Sequence, residues 1–340
     1  MRHMRKYLGY LLKVCISGVL AIIILSLFSL VYFNRPMVTP QDNKYTNFTY
    51  RSNRYWSDMT EGWGFGNTNS LGYIDTDYSV PENPDIIFLG SSHTEALQVP
   101  AAQNFVSLTE RLLEADATSL NNYSCLNLGV SGHTFATQIS NLPYIAENFD
   151  GMKYVVIETS NFNYSTSEFD KMLSGEFHTE TSEKGALYQL AQNIPYFRLL
   201  ANQYLGTQNR AEATETTSAY DRQAYTDAFG EVAEFVSAVA KEEGFQVIFL
   251  YHTRPAIGNG NNSLPDYIDE QLAIVQSICS ANGIYLVNTY SLFNEHFEQT
   301  FEHPYGFSNT QPGFGHLNRT GHQLIAEALY DAILKIEEAN

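Results

Sequence analysis

Two serines and a histidine, in Gly90-Ser91-Ser92-His93, close the apolar run Ile86-Ile87-Phe88-Leu89. A buried strand that ends in a tight turn of small residues is how an α/β fold lifts one side chain to the open end of its sheet. Ser92 stands where a nucleophile would stand. Acyl transfer asks for more: a base within hydrogen-bond reach, a group that orients the base, and N–H donors aimed at the developing oxyanion. The chain offers His316 as the base, in Gly313-Phe314-Gly315-His316-Leu317-Asn318. Gly132, in Gly129-Val130-Ser131-Gly132-His133, offers a backbone N–H that a substrate can approach closely because glycine has no Cβ. The Ser92 N–H is a second donor. The Asn161 side-chain amide, in Thr159-Ser160-Asn161-Phe162-Asn163, is a third, with Asn163 as its substitute. A strand followed by Gly-Ser is common and carries no chemistry alone, so the weight rests on whether one fold brings these segments together.

The spacing of apolar runs supplies such a fold. Asp85–Leu89, Ser124–Leu128, Lys153–Glu158, Gln246–Tyr251 and Ile284–Asn288 read as strands. Helical spacing lies between them, at Phe105–Leu113, Phe135–Ile145, Tyr225–Val239 and Tyr267–Ile278, the last after Ser263 and Pro265 as start signals. A final helix runs over Arg319–Glu337. Strands alternating with helices give a parallel sheet covered on both faces. The expected architecture is therefore a flavodoxin-like doubly wound α/β/α sandwich with a five-stranded parallel sheet. In such a sheet ligands bind beyond the carboxyl ends of the strands, and the candidate segments all follow strands or precede the last helix. His93, His133 and His252 also fall at strand ends and are candidates for the substrate pocket. Residues 163–218 break the rhythm: Ala186–Leu205 reads as an aromatic-rich helix and Gly206–Ser218 as a polar linker. They are expected to be an insertion that covers the site, shapes a groove or merely elaborates the surface.

Charge sets the compartment. The net charge of −18 is uneven: Arg2, Arg5, Lys6 and Lys13 fall in residues 1–13, leaving 15 bases against 37 acids elsewhere, a balance of −22. So acidic a body repels phosphates, which excludes a nucleic-acid partner. Val14–Phe33 is twenty residues without a charge. As a helix it spans about 30 Å, the thickness of a bilayer core. The bases before it keep the N-terminus cytoplasmic, so the remainder is exported. The run is long for a cleaved signal peptide and no small-x-small site precedes Asn34-Arg35-Pro36, which favours an uncleaved anchor. The expected order is a basic tail (1–13), a transmembrane anchor (14–33), an irregular tether (34–68) and one domain (69–340). The domain then lies in a bacterial periplasm or at the cell surface. Cys125 and Cys279 could be joined in an exported protein but are expected to be buried free thiols, Cys15 lies in the span, and no Cys/His cluster has zinc-ligand spacing. Asn-x-Ser/Thr sequons at Asn47, Asn122, Asn163, Asn261 and Asn318 matter only in a eukaryotic secretory pathway. The first turn lacks the Gly-x-Gly-x-x-Gly spacing and the lysine of a nucleotide binder.

Together these segments resemble the SGNH/GDSL hydrolase family over roughly residues 69–335. Gly90-Ser91-Ser92 stands where the family has Gly-Asp-Ser. Asn127–Gly132 is similar to its second block, whose glycine is an oxyanion donor. Thr159-Ser160-Asn161-Phe162 stands for Gly-x-Asn-Asp, and His316-Leu317-Asn318 with Gly321-His322 for the block that carries the base. The lead-in Asn69-Ser70-Leu71-Gly72-Tyr73 resembles that of membrane-anchored members linked to envelope polysaccharides. The resemblance implies a serine esterase or acyltransferase without metal or organic cofactor. Its substrate would be ester-linked acyl groups, such as O-acetyl, on a cell-envelope glycan, or a small acyl ester. Ser92 and His316 would be catalytic, and Ser92, Gly132 and Asn161 the oxyanion hole. Three positions depart from the pattern. Ser91 replaces the aspartate that supports the turn, and Phe162 replaces the residue after the asparagine. Gly313 stands where an aspartate would orient the histidine, so His316 is expected to rely on a backbone carbonyl or on Glu302. That gap motivates the alternative, a catalytically weak or inactive glycan-binding or assembly module.

Overall fold

The structure, a computed structural model, describes residues 2–35, 52–76, 80, 83–116, 122–177, 193–206, 221–255 and 266–339. Asn47, Asn261, Ser263, Pro265 and most of the Gly206–Ser218 linker lie outside them.

Five strands form the parallel sheet: β4 (Ile86–Leu89), β5 (Cys125–Asn127), β6 (Tyr154–Thr159), β7 (Gln246–Tyr251) and β8 (Tyr285–Asn288). Their order is β5-β4-β6-β7-β8, all neighbours parallel. The first strand in sequence lies between the second and third, so the crossover changes direction beside β4, and the crevice there is where such sheets hold ligands. β4 and β6 are buried at every residue, as their near-continuous apolar runs require. Residue parity divides the core in two. Ile87, Leu89, Val155, Ile157, Val247 and Phe249 face one side. There they meet α4 (Phe135–Asn148), α7 (Arg222–Glu243) and α8 (Asp266–Ala281). Ile86, Phe88, Tyr154, Val156, Ile248 and Leu250 face the other side. Their partners are α3 (Phe105–Glu114) and α10 (Arg319–Ala339). Cys279 belongs to the first core and Cys125 to the second, and both thiols are free.

The N-terminal part differs from expectation. α1 (Arg2–Tyr32) is long and apolar enough to cross a membrane. β1 (Phe33–Asn34) follows it directly and pairs antiparallel with β2 (Tyr55–Asp58), which pairs with β3 (Gly64–Asn67). Residues 52–68, expected to be irregular, thus carry two strands. β3 reads as loop because it contains Gly64 and Gly66. Its glycines serve close packing: a Cβ at Gly64 would lie 2.0 Å from the Leu97 carbonyl oxygen. The lead-in to the domain is an Asx turn in which Asn69 Oδ1 accepts from Leu71 N and Tyr73 N, both at 3.0 Å.

The insertion after β6 opens with α5 (Thr166–Leu173), started by a Ser165/Glu168 capping box. The described part of its aromatic helix, α6 (Pro195–Gly206), packs against α1 and β1. α2 (Ser92–Glu95), α9 (Tyr290–Thr300) and a short 3₁₀ helix at Ala101–Gln103 complete the described helices of the domain.

Candidate active site

The turn after β4 is held from below. Gly90 must be glycine, because a Cβ there would lie 1.8 Å from Thr94 Oγ1. Ser91 caps α2, its hydroxyl accepting from His93 N at 3.2 Å. The loop after β5 locks alongside: Val130 N donates to the Gly90 carbonyl at 3.0 Å, and Asn127 Nδ2 to the Thr94 carbonyl at 2.8 Å. A Cβ on Gly129 would lie 2.4 Å from Glu95 N, so this glycine admits the loop against α2.

Ser92 Oγ lies 2.9 Å from His316 Nε2. The other ring nitrogen, Nδ1, lies 2.6 Å from Glu61 Oε2, and the His316 backbone N–H donates to Glu61 Oε1 at 2.8 Å. The result is a hydroxyl–imidazole–carboxylate chain whose acid comes from the segment between β2 and β3, 255 residues before the histidine. Such a chain can withdraw the serine proton and stabilise the imidazolium that forms. Burial pushes the Glu61 carboxyl up, but the His316 bonds and charge outweigh it and hold it below the usual carboxylate range. Gly315 makes room: at φ +83° its missing Cβ would lie 2.0 Å from Glu61 Oε1. Asn309 clasps the acid's segment, accepting from Gly62 N at 2.9 Å and donating to the carbonyls of Met59 and Gly62, each at 3.0 Å. Gly313, where an aspartate was expected, has φ +81°, a conformation that aspartate adopts less readily.

Behind Ser92 lies a second carboxylate–imidazole pair. Glu158, at the end of β6, accepts on Oε2 from Ser91 N at 2.7 Å, Ser91 Oγ at 2.8 Å and Thr94 Oγ1 at 2.9 Å. Its Oε1 lies 2.8 Å from His252 Nε2, and His252 Nδ1 meets the Tyr305 hydroxyl. Burial opposes ionisation of Glu158, yet the His252 bond and charge, then His93 and the Ser91 N–H, hold its carboxyl at about 2. Burial and the Glu158 charge raise the Tyr305 phenol, so it keeps its proton beside His252 Nδ1. The serine at position 91 therefore does not leave the turn without an acid. The carboxylate reaches it from β6.

The structure thus brings Ser92 and His316 together and sorts the other candidates. Gly132 is exposed, at φ +90° with open space on its Cβ side. Asn161 is exposed, and its Oδ1 accepts from Asn163 N at 2.7 Å, which leaves Nδ2 as the donor end of the amide. Asn163 engages through its backbone. His133 is partly buried, its N–H on the Val130 carbonyl at 3.1 Å. His93 packs edge-on to His252 with centroids 4.8 Å apart and 5.2 Å from the His316 ring. Burial, then the neighbouring histidines, hold it well below its usual value, and its Nδ1 accepts from Leu317 N at 3.3 Å. Two expectations are corrected. His252 is fully buried behind the turn rather than lining a pocket. Glu302 faces His296 at 3.7 Å and Thr320 at 3.5 Å, while Glu61 occupies the position beside His316. Sequence reasoning missed Glu61 because it sought the acid near the histidine in sequence. The available signal was an acidic residue set among the glycines of Glu61-Gly62-Trp63-Gly64.

No family model matches the chain. No curated protein matches it. Among solved structures it is similar to a member of the lipolytic G-D-S-L family from Veillonella parvula, at 15% identity, covering 73% of this chain and 97% of that one with a TM-score of 0.42. It is also similar to a catalytic mutant of an acetylxylan esterase from Geobacillus stearothermophilus, at 15% identity, 75% and 95% coverage and a TM-score of 0.41. A family two carbohydrate esterase from Clostridium thermocellum, in complex with cellohexaose, matches at 14% identity, 76% and 66% coverage and a TM-score of 0.39.

Proposed function

We propose that this chain is a serine esterase of the SGNH type, held in a membrane by α1, that acts on ester-linked acyl groups of a cell-envelope glycan. The observation that carries the reading is the unbroken chain from Ser92 Oγ through His316 to Glu61, at 2.9 and 2.6 Å, beyond the carboxyl end of β4. Ser92 attacks the ester carbonyl while His316 Nε2 takes its proton. Glu61 holds Nδ1–H and balances the imidazolium. The N–H groups of Ser92 and Gly132, with Asn161 Nδ2, stabilise the oxyanion. His316 returns the proton to the departing alcohol, and a water or a sugar hydroxyl, deprotonated by the same imidazole, then resolves the acyl-enzyme. The first outcome is hydrolysis and the second acyl transfer. The glycan and the anchor are supported by the residues of the family resemblance and by the charge-free span, and the acyl chemistry by the geometry around Ser92.

A binding-only module was motivated by Gly313. Glu61 beside His316 supports the enzyme reading instead. A fluorophosphonate probe tests it. The intact protein is expected to be labelled, and Ser92→Ala to abolish labelling. An unlabelled wild type beside a labelled control esterase overturns it. Product analysis on an acetylated glycan, with and without an acceptor sugar, separates hydrolysis from transfer.

A further inference from the structure

The membrane helix and the domain are joined without slack. α1 runs into β1 at Phe33, and its last turn is bonded to β2 and the residue after it: Ser57 Oγ donates to the Leu30 carbonyl at 2.7 Å, and Met59 N to the Tyr32 carbonyl at 2.9 Å. Arg35 closes on Asp58 at 2.8 Å. The next strand is therefore tied to the same level. Asp58 pairs with Phe33 on one side and Gly64 on the other. Two strand spacings put Gly64 within about 10 Å of Phe33, where the charge-free run ends.

Side-chain alternation then fixes which face meets the helix. The Ser57 side chain reaches Leu30, so the foot of α1 lies on the Ser57 face of the small sheet. Phe65 stands directly opposite Ser57, and Trp63, two residues earlier, follows the same alternation. Their rings lie 5.7 Å apart, and they are 42% and 56% exposed. They line an open groove of about 510 Å³ together with Gln103, Phe307 and Arg319. No acidic residue lines that groove, although the body beyond residue 13 carries a balance of −22. Two exposed aromatic rings beside an arginine, at the foot of an apolar helix, have the chemistry of a bilayer interface. There aromatic rings sit at headgroup level and cations meet lipid phosphate.

We propose that the Trp63–Phe65 hairpin docks on the outer leaflet of the bilayer that α1 enters, resting on the reading of α1 as an anchor. Glu61 lies two residues before Trp63, so the docked hairpin holds the carboxylate–imidazole–serine chain at the membrane surface. The esters it serves are then those carried at that surface. The usual interfacial layer, about 5–7 Å per leaflet, is deep enough to take both rings.

Tryptophan emission of the full chain reconstituted in lipid nanodiscs tests this. Trp56 and Trp63 are the two tryptophans, and Trp56 is fully buried. Lipids brominated in the upper acyl chain are expected to quench wild-type emission relative to unbrominated lipids, and Trp63→Phe to remove that quenching. The single-tryptophan Trp56→Phe variant should retain it. Equal emission in both lipids overturns the docking. Retention in the discs, scored on the same sample, reports the anchor separately: loss of the chain from the discs overturns the anchor and the docking together. Fluorophosphonate labelling of that sample reports the esterase reading independently of either.

Discussion

Glu61–His316 and Glu158–His252 are the same two groups paired at two depths. Their ring-to-carboxylate distances are alike, 2.6 and 2.8 Å. Their surroundings are not. The His316 and Glu61 side chains are 28% and 21% exposed, those of His252 and Glu158 0% and 1%. The far nitrogen of His316 meets a serine at the mouth of the sheet, and that of His252 a buried phenol. Glu158 also takes three further bonds on its second oxygen, all from the nucleophile turn. A buried, fully bonded pair cannot change protonation without leaving a charge or a donor unpaired, which is costly. The rim pair keeps a route to solvent and to substrate. On the proposed reaction, the difference gives the rim carboxylate the part of helping to move a proton and the buried one the part of holding still the residue that loses it.

The sharpest way to break this comparison is to neutralise each acid without changing its shape. Glu61→Gln presents an amide to His316 Nδ1 and disturbs both its tautomer and the balance of the imidazolium. We expect kcat on a simple ester to fall by about 10³- to 10⁴-fold, as when a triad acid becomes its amide, with little change in the denaturation midpoint. Glu302→Gln should leave the rate as it is. A Glu61→Gln enzyme within tenfold of wild type would end the assignment of the rim pair.

Glu158→Gln should do the reverse. It leaves His252 without its carboxylate and removes an acceptor shared by Ser91 and Thr94. We expect a loss of about 3 kcal/mol or more of unfolding free energy by denaturant titration, with a smaller fall in kcat than Glu61→Gln gives. A wild-type midpoint with turnover as low as that of Glu61→Gln would reverse the two roles.

How these carboxylates read in the sequence explains what was legible. The five strands were visible because a covered parallel sheet needs unbroken apolar runs, and Tyr154–Thr159 and Gln246–Tyr251 have little else. Ser92 and His316, which the structure brings together, were legible because one follows a strand and the other precedes the last helix; Gly132 and Asn161 were candidates on the same ground. Glu158 was hidden as the polar end of an apolar strand. Glu61 was hidden because its partner is distant in sequence and its segment is glycine-rich, so nothing periodic surrounds it. The small sheet was hidden for a related reason: β1 has two residues and β3 is half glycine, and their pairing depends on contacts with α1 and Leu97 that no local pattern encodes.

Asn309 offers a gentler cut on the rim side alone. Its three bonds to residues 59–62 are exposed, so little stability rests on them, yet they set where Glu61 sits. Asn309→Ala should lower kcat by roughly tenfold, the effect of about 1.4 kcal/mol in the transition state, and leave KM within about twofold. An equal rise in KM would mean that Asn309 shapes substrate binding rather than the acid.

Acid provides the smallest and most graded test of the buried side. His322 is fully buried, its Nδ1 accepts from Phe105 N at 3.2 Å, and burial with the neighbouring histidines holds it at about 3. The unfolded chain takes a proton at His322 below about 6.5, which the folded chain refuses until about 3, so stability falls as pH drops through that window. His93, held down in the same sense, adds to the slope. Glu158 joins lower. Its unfolded value is 4.5 and its folded value about 2, so its contribution is whole above 4.5 and is lost as pH falls toward 2. Each group contributes a slope of up to about 1.4 kcal/mol per pH unit. His322→Asn keeps an acceptor for the Phe105 N–H but cannot titrate, so denaturation midpoints between pH 6.5 and 4.5 should flatten by about one group's share. Glu158→Gln should flatten only the part below 4.5. If Glu158→Gln instead flattens the upper window, the buried pair exchanges a proton near neutrality, and depth no longer separates the two carboxylates.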